Sequence, residues 1–312
     1  MCRKSVAERG STRLVGRAAF VLLQAVAVPG QTPGAEERYQ ADIRKWREER
    51  EATLRSERGW LSVSGLFWLR EGANRFGTDP TNEVTLPRGS APARAGVLEH
   101  RQGRTVVHLE PGVPAFLAGS DAAGRELKPD ISGAEGVLTL GRLTLQVIER
   151  GGRYAVRLRD PESPARRNFA GLRWFPIDES NRVVARFVPY DPPKNIPIAN
   201  VIGQVNDLPS PGRAVFILGG RELSLEPVLE EPGATELFFI FRDETSGKET
   251  YPAGRFFYAS MPQDGTVVLD FNKAYSPPCA FTPYATCPLP PKQNALPVPI
   301  AAGERDPGSH AP

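Results

Sequence analysis

Histidine is nearly missing from this chain. There are three in 312 residues, His100, His108 and His310, and no His–x–His or H-E-x-x-H spacing. Zinc sites and His-based acid–base sites therefore lose their usual groups. Cysteine is as scarce: Cys2, Cys279 and Cys287. The C-x7-C spacing of the last two lacks the close pairs that structural zinc prefers, so no metal is expected. There is no G-x-S-x-G, S-x-x-K, P-loop or G-x-G-x-x-G. The common serine-nucleophile and nucleotide signatures are thus excluded, and no cofactor is expected. Neither charge sign dominates, with 39 basic against 36 acidic residues, and several of the basic ones sit at the extreme N-terminus. No Lys/Arg block lies beyond that region, so nucleic-acid binding has no electrostatic support.

No apolar run is long enough to span a bilayer, which takes about 20 residues. Ala18 to Val28 is low in polarity apart from Gln24. It follows Arg3, Lys4, Arg9, Arg13 and Arg17 and ends with small residues at Ala25 and Ala27. That is the layout of a signal peptide. We expect residues 1–30 to be a signal, a periplasmic or secreted destination, and no integral span after cleavage. The other reading is a cytoplasmic protein with a false signal. Export would leave Cys279 and Cys287 as an even pair in an oxidising compartment, a disulfide candidate.

Proline and glycine are abundant, at 31 and 30 residues, which fits a turn-rich β chain. One amphipathic helix is predicted over residues 36–58, from the spacing of Tyr39, Ile43, Trp46 and Leu54, with Gly59 ending it. Short β-branched or aromatic runs follow, including Thr105–Leu109, Leu143–Ile148, Tyr154–Leu158, Val183–Val188, Leu237–Phe241, Arg255–Tyr258 and Val267–Phe271. Gln102-Gly103, Gly151-Gly152, Gly219-Gly220 and Asp264-Gly265 supply hairpin turns. No strand–helix alternation is present, so a parallel doubly wound sheet is excluded. The expectation is a mainly β fold of antiparallel sandwich- or barrel-like modules with one N-terminal amphipathic helix. The polar stretch DPESPARRN (Asp160 to Asn168) divides a β-sandwich module (59–165) from a second β module (166–304), with a disordered tail over 305–312.

The segment PPCAFTPYATCPLPP, Pro277 to Pro291, holds six prolines and two cysteines. It suits neither helix nor central strand and reads as a Pro/Cys clamp. With LDFNKAYS before it and AGE at Ala302 to Glu304, it resembles the signature of a bacterial family known only as a domain of unknown function. GWLSVSGLFWLREGANRFG, RFVPYDPPKNIPI and FRDETSGKETYPAGRFFY extend that resemblance over roughly Tyr39 to Glu304. It implies no reaction and no site residues. The first half, from EGANRFGTDPTNEVTLP to LTLGRLTLQVI, is also similar in order and spacing to the forkhead-associated β-sandwich. Thr78 and the run Ala91 to Ala95 stand where that family's phosphothreonine-binding residues would be. The resemblance therefore implies a fold and argues against phosphopeptide recognition.

The candidate catalytic group is polar. If the strands around them are neighbours, Asp243, Arg255, Asp270 and Asn272 meet at one sheet end, where loops gather binding residues. Such a pair of carboxylates with an arginine suits hydrolase-like chemistry. The alternative is that these groups pair with one another and cap turns. Trp60, Phe67, Trp68, Trp174, Phe175 and Tyr190 are candidates to line an apolar pocket, with core packing as their other reading. A thiol enzyme would need a base beside Cys279 or Cys287, and both internal histidines lie in the other half of the chain. The leading expectation is an exported binding or interaction protein without catalytic activity, with a small-molecule or protein ligand. The alternative is a hydrolase-like enzyme using the Asp/Arg cluster.

Overall fold

The structure is a computed structural model and describes residues 34–132 and 136–308. The expected signal falls on residues outside the described ones. Helix α1 spans Ala35–Arg55, and everything after it is strand, turn or short helix, so the fold is mainly β. The helix stops earlier than Arg58 because Ser56 turns extended. Gly59 serves another purpose: a Cβ there would lie 2.3 Å from the Leu54 carbonyl oxygen. Only glycine lets the chain double back under the helix end.

The first half holds β1 (Val63–Trp68), β2 (Gly72–Gly77), β3 (Val84–Thr85), β4 (Gly96–Arg101), β5 (Arg104–Leu109), β6 (Phe116–Leu117), β7 (Ser120–Asp121), β8 (Val137–Leu140), β9 (Leu143–Arg150) and β10 (Arg153–Arg159). They form two sheets, in the orders β1-β10-β9-β8-β6-β7 and β3-β2-β4-β5, antiparallel except for β2 with β3. Phe76, Leu98, Val107, Leu138, Leu145, Val156 and Leu158 fill the core between them.

The second half holds β11 (Arg182–Ala199), β12 (Val205–Leu218), β13 (Arg221–Leu225), β14 (Glu236–Phe241), β15 (Arg255–Ser260) and β16 (Thr266–Asp270). The sheet β13-β12-β11-β16 and the ribbon β14-β15 enclose a second core around Phe187, Phe216, Phe239, Phe257 and Leu269. The four predicted turns carry positive φ at both central residues, the backbone that matches the twist of paired strands.

Strand β14 (ELFFIF) is buried on both faces. Leu237, Phe239 and Phe241 enter the second core, whereas Phe238 and Ile240 face a third cluster with Phe256, Ile196, Ile198 and Cys287. The long β11–β12 hairpin changes register between Pro189 and Lys194. Its base, at Ala185 and Phe187, packs in the second core, and its far part, at Ile196 and Ile198, packs in the third cluster. The hairpin tip touches the first half, where Gln204 Nε2 donates to the Arg150 carbonyl at 2.7 Å.

The segment Pro277–Pro291 joins these parts. Thr282 Oγ1 donates to the Val63 carbonyl (3.2 Å), Leu289 N–H to the Ala199 carbonyl (2.7 Å), and Val201 N–H to the Cys287 carbonyl (3.0 Å). The chain after it is held as well. Arg305 N–H donates to Arg173 and Asp306 N–H to Glu249, both to carbonyls, so part of the expected tail is fastened to the second half. Residues 309–312 lie outside the described ones.

Candidate functional site

The predicted polar cluster separates into two networks. In the first, Arg255 on β15 is fully buried and forms an ion pair with Asp243 at 2.7 Å. The same guanidinium donates to the carbonyls of Ile300 (2.9 Å) and Ala302. Asp243 also accepts from Thr245, through the backbone N–H at 2.7 Å and the hydroxyl at 2.5 Å. Burial lowers the Arg255 pKa, and Asp243 opposes that shift. These groups fasten the C-terminal segment across β14 and β15, and none of them lines the large cavity described below.

In the second network, Asp270 and Asn272 hold the helix. Tyr39 of α1 donates its hydroxyl proton to Asp270 Oδ1 at 2.9 Å and accepts from Asn272 Nδ2 at 2.9 Å. Asn272 Nδ2 also donates to the Asp178 carbonyl at 2.8 Å. Burial, with Asp270 beside it, raises the Tyr39 pKa. No hydrogen bond or ion pair among the described residues joins Asp270 or Asn272 to Asp243 or Arg255.

The predicted aromatics also disperse. Phe67 packs against the first core, Trp68 lies under Arg153, Trp174 under Arg47, and Tyr190 donates to Glu226. Phe175 is buried, and Trp60 alone of the six lines the large cavity.

That cavity has a volume of about 700 Å³, within the range of small-molecule sites. It lies where α1, the outer face of β9–β10, the β14–β15 ribbon and the Pro/Cys segment meet. Trp46 and Arg50 come from α1, Trp60 from the turn after it, Arg150 from the end of β9 and Arg157 from β10. Phe238, Phe256, Tyr258 and Tyr275 form the aromatic wall, and Thr286 and Cys287 close the side formed by the clamp.

Strand geometry explains the arginine. On β10, Val156 and Leu158 turn into the first core, so Ala155, Arg157 and Arg159 lie on the opposite face. In an isolated sandwich that face would meet water. Here the second half and α1 cover it, and Arg157 is only 5% exposed.

The three cavity arginines differ in how their charge is met. Arg150 makes a two-pronged ion pair with Asp130, at 3.1 and 2.7 Å. Arg50 donates to the Ser276 carbonyl at 2.9 Å, lies 3.6 Å from the buried Glu304 carboxylate, and stacks over Tyr275. Arg157 has neither ion pair nor hydrogen bond among the described residues. Its guanidinium sits 5.0 Å above the Trp60 ring, and its Nε is buried without a partner. Burial, with Arg150 and Arg159 nearby, lowers its pKa to about 10, so it stays charged at neutral pH. A buried cation costs several kcal/mol unless it is paired, and a desolvated cation–π contact returns about 2 kcal/mol.

The sequence reading missed Arg157, Arg150, Arg50, Phe238, Phe256, Tyr258 and Tyr275 as a site. The signal available was arginine at alternate positions of β10, in YAVRLR, which strand periodicity alone assigns to a solvated face.

Residues 167–305 match the family model described as Protein of unknown function (DUF1684). Over these residues the chain is similar to a domain-of-unknown-function family. The resemblance over Tyr39 to Glu304 is thus met in its later part. A solved structure, the solution NMR structure of an uncharacterized protein of Haloarcula marismortui, is 32% identical. The match covers 47% of this chain and 82% of that chain, at a TM-score of 0.40. No curated protein matches the chain. The matched family segment includes the aromatic wall and Cys287. Helix α1, Trp60, Arg150 and Arg157 lie before it.

Proposed function

We propose that this protein is a binding protein that holds a small organic anion with an aromatic or apolar body. The acid group, a carboxylate or phosphate, pairs with Arg157. The body rests against Trp60, Phe238, Phe256 and Tyr275. The observation that carries this reading is the buried, unpartnered Arg157 facing an aromatic-walled cavity of about 700 Å³. An incoming anion supplies the charge-assisted hydrogen bonds that the folded chain withholds.

The reading is one of binding: neither internal histidine lines the cavity, and of its two glutamates Glu230 accepts from the Tyr258 hydroxyl and Glu49 pairs with Lys45. His100 is bonded to Thr105 on the neighbouring strand, and His108 lies against Glu99. The rival hydrolase reading would use Asp243, Arg255 and Asp270, but Asp243 and Arg255 are paired in one buried network and Asp270 belongs to another. Export to the periplasm or exterior belongs to the proposal and rests on the N-terminal sequence. No helix among the described residues is long and apolar enough to cross a membrane.

The test is thermal unfolding of the full chain with phenyl phosphate, benzoate, inorganic phosphate and phenol. We expect saturable stabilisation by phenyl phosphate or benzoate, less by either half alone, and none in Arg157→Leu. Equal stabilisation of the wild type and Arg157→Leu, or no response to either aromatic anion, would overturn the proposal.

A further inference from the structure

The two cysteines of the clamp meet at the cavity wall. Cys279 lies in a 3-10 turn and is part-exposed; Cys287 is 4% exposed and lines the cavity. The Cys279 backbone N–H donates to Cys287 Sγ at 3.1 Å, which brings the two residues into direct contact. No disulfide joins them among the described residues. The Tyr251 hydroxyl donates to the Cys279 carbonyl at 3.0 Å and holds that turn in place.

The two thiols are not equivalent. Cys279 is shifted down, mainly by the Cys287 side chain beside it, and Cys287 is shifted up by the Cys279 side chain and by burial. A part-exposed thiol with thiolate character beside a buried partner is the arrangement of an attacking and a resolving cysteine.

We propose that Cys279 and Cys287 form a reversible dithiol–disulfide couple that exchanges with a low-molecular-weight disulfide of the glutathione type. The Cys279 thiolate attacks one sulfur of the external disulfide. An S–S bond forms to Cys279, and one thiolate leaves and takes up a proton. Cys287, deprotonated in turn, attacks Cys279 Sγ. This closes the internal disulfide and expels the second external thiolate. Two protein thiols are oxidised, and one external disulfide is reduced to two thiols. In the mixed disulfide Cys279 no longer carries the charge that holds the Cys287 proton, and Arg157 works against the remaining upward push of burial on Cys287.

A consequence rests on the reading of the cavity as a binding site. Cys287 forms part of its wall, so bridging moves a wall atom, and its carbonyl holds the hairpin tip through Val201. Ligand affinity then differs between the two redox states, and by linkage the ligand shifts the redox balance by the same factor.

The test equilibrates the full chain with glutathione buffers of varied reduced-to-oxidised ratio, blocks thiols by alkylation, and maps peptides under non-reducing conditions. We expect a reversible transition between bridged and dithiol forms within the span of the buffer. In Cys287→Ser we expect a trapped glutathione on Cys279. No bridge at any ratio would overturn the proposal, and so would a bridge that excess dithiothreitol leaves intact in the folded protein. The wild-type titration decides the matter even if the variant does not fold. Phenyl phosphate titrated into each form tests the linkage, with an expected difference of at least about fivefold in affinity. Equal binding to both forms would refute the linkage alone. No binding to either would refute the cavity reading and leave the redox result standing.

Discussion

Two buried arginines set the terms for the molecule. Arg255 opens β15 of the two-stranded ribbon, Arg157 lies within β10, and both are almost wholly out of water. Arg255 is met by a carboxylate from the turn after β14 and by two backbone carbonyls of the C-terminal segment. Arg157 is met by the face of one indole and by a cavity. The first arrangement is a fastening whose charge is neutralised by Asp243, although Arg255 Nε, like Arg157 Nε, is buried without a hydrogen-bond partner. The second is a charge the fold has paid to bury without neutralising, and a ligand can complete it. The difference lies in the partners and not in the residue type, so composition alone cannot distinguish the two.

The largest effect is expected where the neutralised pair is broken. Asp243→Asn leaves the Arg255 charge buried and uncompensated, and should lower unfolding stability by about 3–5 kcal/mol, read by chemical denaturation. A loss below about 1 kcal/mol would mean that the pair is not a fastening.

Glu304 is an intermediate case. It is fully buried, with Arg50 Nε 3.6 Å from its carboxylate. Burial pushes its pKa up to about 7, against the opposing pull of Arg50 and Ser276. The folded state therefore holds this proton more tightly than the unfolded chain, where the carboxyl has its ordinary value of 4.5. The resulting stability is fully present below the ordinary value and is lost as pH rises through about 7, an effect of about 3 kcal/mol across that window. Glu304→Gln should flatten the pH profile there, as measured by denaturation at each pH. An unchanged profile would refute the assignment.

Arg157→Leu should act oppositely to Asp243→Asn. Removing an unpaired buried cation should raise the stability of the ligand-free protein by about 1–2 kcal/mol while abolishing stabilisation by aromatic anions. A stability loss comparable to that of Asp243→Asn would place Arg157 among the fastenings. The smallest effect is expected from Tyr39→Phe, which removes the hydroxyl shared by Asp270 and Asn272. It should cost about 1 kcal/mol in thermal unfolding and leave anion binding unchanged.

The fold was largely legible from local rules. Alternating strands, the four glycine-bearing turns and the amphipathic helix each depend on neighbours in sequence, and each formed close to its expected place. The limits of the helix were less so, because its last turn is decided by the approach of Gly59 to Leu54, a packing event. The site was legible only in fragments. Trp60 was among the aromatics considered, and Cys287 was singled out in the clamp. Arg157 was hidden by its own periodicity: on β10 it occupies the face that a single sandwich would leave wet. What covers that face is β14–β15 and the clamp, which come after the whole β11–β13 set, and α1, which comes before the whole first strand set. The Asp243–Arg255 pairing was foreseen as one outcome for these residues. The separation of Asp270 and Asn272 from them was not, because the helix claims those two side chains through Tyr39.

The most direct test is a crystal structure of the full chain grown or soaked with 4-bromobenzoate, with the bromine located by its anomalous scattering. The account predicts one bromine among Trp60, Phe238, Phe256 and Tyr275, with the carboxylate within hydrogen-bonding distance of the Arg157 guanidinium. A bromine bound outside the cavity, or a carboxylate turned away from Arg157, would contradict it.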